Sequence, residues 1–256
     1  MPESLSRQTA SAPAHTQDPL QHLTLAPTQG QSRRLTRRHW GQLALASVCA
    51  LPAWAQTQAE PDTPDEGIDY ETLPAPMPMV LAEPGDARIE VLEFFRYGCP
   101  FCNRMEAPLH AWAARQPSDV VLRKVPVSFY STTHQQLYLT LVQLGQAQRL
   151  GPQVFETIHH QGHPLEMLME ISEWASGHGI PVAQFEAAWH SPQVQAGIER
   201  SNAQVQGWGV KSVPQFGVDG RHLTSPAMVG GSNQRALDVV DWLIARARQA
   251  RRAVRG

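Results

Sequence analysis

The sequence predicts an α/β protein whose sheet-forming chain is interrupted by an all-helical insertion. Three observations predict it. An apolar strand pattern, "IEVLEFF", runs into a helix opened by a proline and is followed by a second strand pattern, "VVLRKVPVSF". Successive segments of helical period then fill residues 130–206. Strand signals return at "VPQFGVDGRHL", and an amphipathic helix closes the chain.

Taken in order, residues 1–55 differ in kind from the rest. Met1 to Gln31 is polar, lacks periodicity and reads as disorder or as a wrongly assigned start. Arg33, Arg34, Arg37 and Arg38 then precede the apolar "GQLALASVCALPAWA", which ends on an Ala53-Trp54-Ala55 cleavage pattern. This reads as an export signal. A Sec-type signal is favoured over a paired-arginine one, despite the two arginines of "TRRHW". A short buried helix is the plain alternative, and Val48 argues against lipidation of Cys49. Cleavage would leave Cys99 and Cys102 as the remaining cysteines, an even pair in an oxidising compartment.

Residues 56–86 are rich in proline and acids and read as a linker with at most an edge strand near Tyr70 to Leu73. Residues 87–129 hold the first strand, its helix and the second strand. Glu90 and Glu93 break an otherwise apolar run that suits a strand covered on both faces. Pro100 is favoured at the first helical position, and Pro108 is expected to kink or end the helix. In residues 130–206, "HQQLYLTLVQL", "GPQVFETIHH", "PLEMLMEISEWAS", "PVAQFEAAW" and "SPQVQAGIERSNAQV" are each bounded by glycine or proline. Residues 207–250 carry a hairpin at Asp219-Gly220 and the last helix, and 251–256 form a basic tail. Arg246, Arg248, Arg251 and Arg252 are expected to be a solvated helix end matched to the macrodipole.

A net charge of −2 and the lack of a basic cluster within the apolar-rich region give no reason to expect nucleic acid. No long uncharged apolar run suggests a membrane span. The chemistry sits in Cys99-Pro100-Phe101-Cys102. Thiols at i and i+3 across a first helical turn share a face and can form a switchable disulfide. Cys99, at the N-cap, can accept from the amides of Phe101 and Cys102, and the helix dipole favours its thiolate. Cys99 is therefore expected to be the exposed nucleophile and Cys102 the resolving thiol. Glu93, six residues upstream on the feeding strand, is placed to take the proton Cys102 loses, with Lys124 on the adjacent strand as its ionic neighbour. The plain alternatives are a structural disulfide, a zinc half-site sharing His159 and His163, and a Glu93 that faces water. No second Cys-x-x-Cys exists, so no metal is expected.

These residues resemble the DsbA family of periplasmic thiol:disulfide oxidoreductases over roughly Tyr70 to Gln249. The likeness rests on "VLEFFRYGCPFC", "RKVPVSF" and "SVPQFGVDGRHL". It implies a thioredoxin fold with an inserted all-helical domain and a redox-active Cys99–Cys102 disulfide without further cofactor. It also implies a cis Val213–Pro214 loop that lies against the active disulfide and, with Pro100 and Phe101, faces an extended substrate. The implied partners are unfolded exported polypeptides and a DsbB-like, quinone-linked membrane reoxidant. A monomer in the periplasm is expected. One position departs from the family's best-known members, which carry His where this chain has Phe101, a pair closer to the Pro-aromatic of glutaredoxins. A reductase or isomerase of the same fold, or a non-catalytic chaperone with a structural disulfide, are the alternatives. The family isomerases usually carry an N-terminal dimerisation domain, for which the proline-rich stretch is too short.

Overall fold

β2 (Ile89–Phe95), the strand spoiled by two acids, is buried at every residue and lies inside the sheet. The computed structural model describes residues 63–78 and 88–255, all within one unit spanning Thr57–Gly256. The expected export signal lies outside the described residues. Among those described, no helix is long and apolar enough to cross a membrane.

The remaining elements are β1 (Tyr70–Thr72), α1 (Pro100–Ala113), β3 (Val120–Pro126), α2 (Thr132–Gln143), α3 (Ala147–His159), α4 (Leu168–Gly177), α5 (Val182–Trp189), α6 (Pro192–Gly207), β4 (Gln215–Val218), β5 (His222–Thr224) and α7 (Asn233–Arg255). The sheet order is β1-β5-β4-β2-β3. β2 and β3 are parallel, as a helical crossover through α1 requires, and the other pairings are antiparallel. This is a thioredoxin fold with α2 to α6 inserted between β3 and β4.

Alternation along β2 decides what lies under the active-site helix. Ile89 and Val91 pack with Met105, Leu109 and Trp112 of α1 and with Leu237, Val240 and Leu243 of α7. Leu92 and Phe94 point to the opposite face, against Val125, Trp208 and Leu223. Glu93 therefore falls on the α1 side, and Phe95 continues that side into the insertion, where it packs with Leu137, Leu141 and Phe155. Asp219 and Gly220 adopt φ of 53° and 67°, the two left-handed residues that a tight hairpin turn needs.

Several expectations are corrected. Pro108 does not end α1, which continues to Ala113. The carbonyl of Arg104, deprived of its helical donor by that proline, accepts instead from Asn233 Nδ2 at 3.0 Å. β3 ends at Pro126, short of Phe129, and α3 begins at Ala147, so Gly151 and Pro152 lie inside it. The expected basic tail is helical as far as Arg255. Its arginines are not simply solvated: Arg246 donates to the Tyr70 hydroxyl at 2.6 Å, Arg248 grips Asp119 at 2.7 and 2.9 Å, and Arg251 pairs with Asp219.

Candidate active site

A tight turn joins β2 to α1. The Cys99 amide donates to the Arg96 carbonyl at 3.1 Å, and the Cys99 carbonyl accepts from Asn103 at 3.0 Å as the helix begins. Cys99 is the N-cap, with extended φ and ψ of −93° and 118°, and Pro100 occupies the first helical position. Both cysteines are free thiols. Contrary to the exposed nucleophile expected, Cys99 is only 6% accessible, whereas Cys102 is fully covered. The cover over Cys99 is the loop before β4, where the Cys99 thiol donates to the Val213 carbonyl at 3.5 Å. The Val213–Pro214 bond is cis, and Pro214 is buried. Pro100 and Phe101 stand outward, with Phe101 60% exposed and the Arg104 guanidinium 4.5 Å from its ring centroid.

The two thiols differ sharply. The Cys99 pKa is lowered to about 6, first by a hydrogen bond from the Cys102 side chain, then by the amides of Cys102 and Phe101 and the charge of Arg96, against an opposing effect of burial. No side-chain hydrogen bond of strict geometry closes the cap, so these amides act at the N-terminus without a formed cap bond. Burial pushes the Cys102 thiol far up, and the neighbouring Cys99 and the carboxylate of Glu93 push the same way.

Beneath Cys102, the parallel register sets Glu93 directly opposite Lys124. Lys124 Nζ stands 3.2 Å from Glu93 Oε2, although neither Glu93 oxygen has a well-aligned hydrogen bond. Glu93 has 0% side-chain exposure, which overturns the water-facing alternative. Desolvation raises its pKa to about 7, with Lys124 opposing and Glu106 assisting. Lys124 also binds Glu106, a residue the sequence reading missed. One lysine thus sits between two carboxylates, and together they hold its pKa above the ordinary value although burial pulls it down.

Glu106 lies one helical turn after Cys102, and that i+4 spacing was the available signal. Arg96 and His134 were also missed. Arg96 Nη2 donates to the Gly98 carbonyl at 3.3 Å, and His134 of α2 packs against the same glycine. His159, offered above to zinc, has Nε2 at 2.7 Å from the Tyr97 carbonyl. The arrangement offers a stabilised thiolate over a suppressed one, a carboxyl group that can exchange a proton near neutrality, and a backbone edge beside the reactive sulfur.

Comparison with known proteins fits this geometry. A family model described as a DSBA-like thioredoxin domain matches residues 127–239, a stretch that begins after the cysteine pair. The chain is 37% identical over 210 residues to the thiol:disulfide interchange protein DsbA of Bordetella parapertussis, covering 81% of this chain and 96% of that one. The Azotobacter vinelandii protein of the same name is 35% identical over 199 residues, covering 76% and 91%. Among solved structures, Pseudomonas aeruginosa DsbA superposes with a TM-score of 0.69 at 28% identity, over 73% of this chain and 96% of that one. The oxidoreductase DsbA of Xylella fastidiosa gives 0.65 at 30% identity, over 71% and 96%.

Proposed function

The chain belongs to the DsbA family of thiol:disulfide oxidoreductases, and on that premise we propose that it oxidises paired thiols of exported, unfolded polypeptides through Cys99. A client thiolate attacks the sulfur of Cys99 in the oxidised enzyme. The enzyme's S–S bond breaks, and Cys102 leaves with the electron pair. A second client thiolate then attacks the client sulfur of the mixed disulfide, and Cys99 leaves as a thiolate. Two electrons pass from the two client thiols into the enzyme, and the client gains a disulfide. The observation that carries this reading is the inequality of the two thiols. The stabilised Cys99 is a good leaving group, and the suppressed Cys102 needs a proton when it leaves.

Glu93, with a pKa near 7, supplies that proton and takes it back on reoxidation, with Lys124 holding the ionised form. Val213 and Pro214 present a backbone edge to the extended client, and Pro100 and Phe101 form the outer side of the contact. The enzyme works in the periplasm as a monomer, delivered by the Sec-type signal ending at Ala55. Its own disulfide is the redox group, reoxidised by a DsbB-like, quinone-linked membrane protein. One observation favours a second, less oxidising reading: Phe101 stands where a thiolate-stabilising histidine would otherwise be.

Mixing the oxidised protein with a reduced, unfolded model polypeptide tests the proposal. Stoichiometric transfer of disulfides to the polypeptide is expected, with Cys99 becoming alkylatable as it proceeds. Binding of the polypeptide without thiol loss would replace the enzyme by a chaperone.

A further inference from the structure

Phe101 raises a question about the charge around Cys99. An aromatic hydrocarbon placed between the cysteines has no proton to donate and no charge to offer. Cations near the site among the described residues include Lys124, Arg104 and Arg96. Lys124 lies beneath Cys102, held between Glu93 and Glu106. Arg104 is spread over the outer face of the Phe101 ring, one turn along α1.

Arg96 is placed differently. It occupies the turn that delivers Cys99, and its guanidinium folds back over that turn. Nη2 donates to the Gly98 carbonyl at 3.3 Å, and Nη1 would lie 2.6 Å from a Cβ built on Gly98. A glycine at 98 is what lets the cation lie against the backbone immediately before the sulfur. On the outer side stands the solvent-exposed Tyr130, whose ring centroid is 5.4 Å from the Arg96 Cζ. The Nε is buried without a hydrogen-bond partner, and no carboxylate pairs with this guanidinium among the described residues. A partly buried cation held by a carbonyl and a ring, with no counter-ion, is an incomplete electrostatic unit. A thiolate at Cys99 completes it.

We propose that Arg96 is the positioning residue for the Cys99 thiolate, supplying from the β2–α1 turn the positive charge that Phe101 cannot supply from within the motif. The proposal rests on the reading of Cys99 as the nucleophile. In the oxidised enzyme the guanidinium faces a neutral disulfide. When Cys99 leaves the mixed disulfide as a thiolate, the Arg96 charge has its partner and the reduced enzyme is stabilised. A disulfide whose reduced form is stabilised is a stronger oxidant.

The groups that face Cys99 are Cys102 from α1, Glu93 from β2 and Arg96 from the turn. His134 of α2 faces Arg96 and Gly98 and is itself approached by the half-exposed Glu166 at 3.6 Å. Burial holds the His134 pKa down, so Arg96 is the standing cation of this set at neutral pH.

The test uses the reduced Cys102→Ser protein, in which the thiolate absorbance reports Cys99 alone and the serine hydroxyl keeps a donor beside it. Its midpoint is compared with those of the same protein carrying Arg96→Gln, Arg96→Lys or Gly98→Ala. Arg96→Gln is expected to raise the midpoint by about one pH unit, a tenfold loss of thiolate stabilisation. Arg96→Lys should raise it by less, because the charge survives without the planar fork. Gly98→Ala should move it in the same direction by displacing the guanidinium while leaving the charge in the molecule. In the two-cysteine protein, Arg96→Gln should shift the glutathione equilibrium toward the disulfide by up to about tenfold. It should lower the melting temperature of the reduced form and leave that of the oxidised form nearly unchanged; a guanidinium that only packs would lower both. An Arg96→Gln midpoint equal to that of a parent near 6 would overturn the proposal alone. A parent midpoint in the ordinary thiol range would overturn the nucleophile assignment beneath it.

Discussion

Cys99 and Cys102 stand three residues apart on one helical turn, and both are buried, yet their surroundings act on them in opposite directions. Around Cys99 the neighbours are hydrogen-bond donors and a cation: the Cys102 thiol, two amides at the helix start, and Arg96. Around Cys102 they are apolar side chains and an acid. Burial alone would raise both thiols. What separates them is whether burial brings donors or removes them. The helix start supplies donors to the first cysteine, and β2 supplies an acid to the second.

The largest effects should come from breaking the pair itself. Cys99→Ser should abolish disulfide transfer in a quenched-thiol assay. Cys102→Ser cannot form the enzyme disulfide and should also lose transfer, but its Cys99 thiolate, attacking a polypeptide that already holds a disulfide, should accumulate a mixed disulfide. That species is visible as a thiol-sensitive mass increase, because no Cys102 thiol remains to displace the client.

The acid beneath Cys102 offers the next lever. Glu93→Gln keeps the size but loses the proton, and should slow turnover by roughly tenfold to a hundredfold. It should also change how stability varies with pH. The native Glu93 pKa, about 7, lies above its ordinary 4.5, so the folded protein binds more protons between those values. Wild-type stability therefore falls as pH rises through that window, and the variant lacks this fall. Denaturant titrations of the reduced proteins should show the variant gaining on wild type by roughly 1 to 3 kcal/mol between about pH 4.5 and 8. A parallel pH dependence would remove the buried acid from the site.

Stability of the reduced form should carry the opposite signature from Cys99. Its native pKa is depressed, so its stabilising contribution is complete above the unfolded value of 9.0 and is lost as pH falls through about 6. Reduced and oxidised proteins compared by thermal melting should therefore converge or cross in favour of the oxidised form as the pH drops through about 6. A difference that does not vary with pH would equalise the two thiols. The smallest change expected is from Phe101→His, which adds an imidazole near Cys99 and should lower its pKa by up to about one unit, making the glutathione equilibrium up to about tenfold more oxidising.

The sequence carried the cysteine spacing, the strand that feeds it and the periods of the inserted helices, because these are local patterns. Glu93 and Lys124 were also within reach, since an acid in an apolar strand and a lysine on the next strand leave few arrangements. Other features depended on distant chain. Pro108 does not end its helix, because its missing hydrogen bond is answered by Asn233, at the start of the last helix. The arginines of α7 looked solvated because Asp119 and Asp219 reach them only through the fold. The cover on Cys99 was legible only through the family resemblance, which sets the Val213–Pro214 loop against the disulfide, since Val213 comes from beyond the whole helical insertion. Glu106 needed the phase of α1 and the register of β3 together.

The inequality of the two thiols is tested most directly by alkylating the reduced protein at a series of pH values and locating the label by peptide mass. Label should enter Cys99 first at every pH, with a rate that rises through a midpoint near 6, and Cys102 should stay unmodified throughout the range in which Cys99 titrates. Faster labelling of Cys102, or a Cys99 midpoint near the ordinary thiol value of about 8.5, would contradict it.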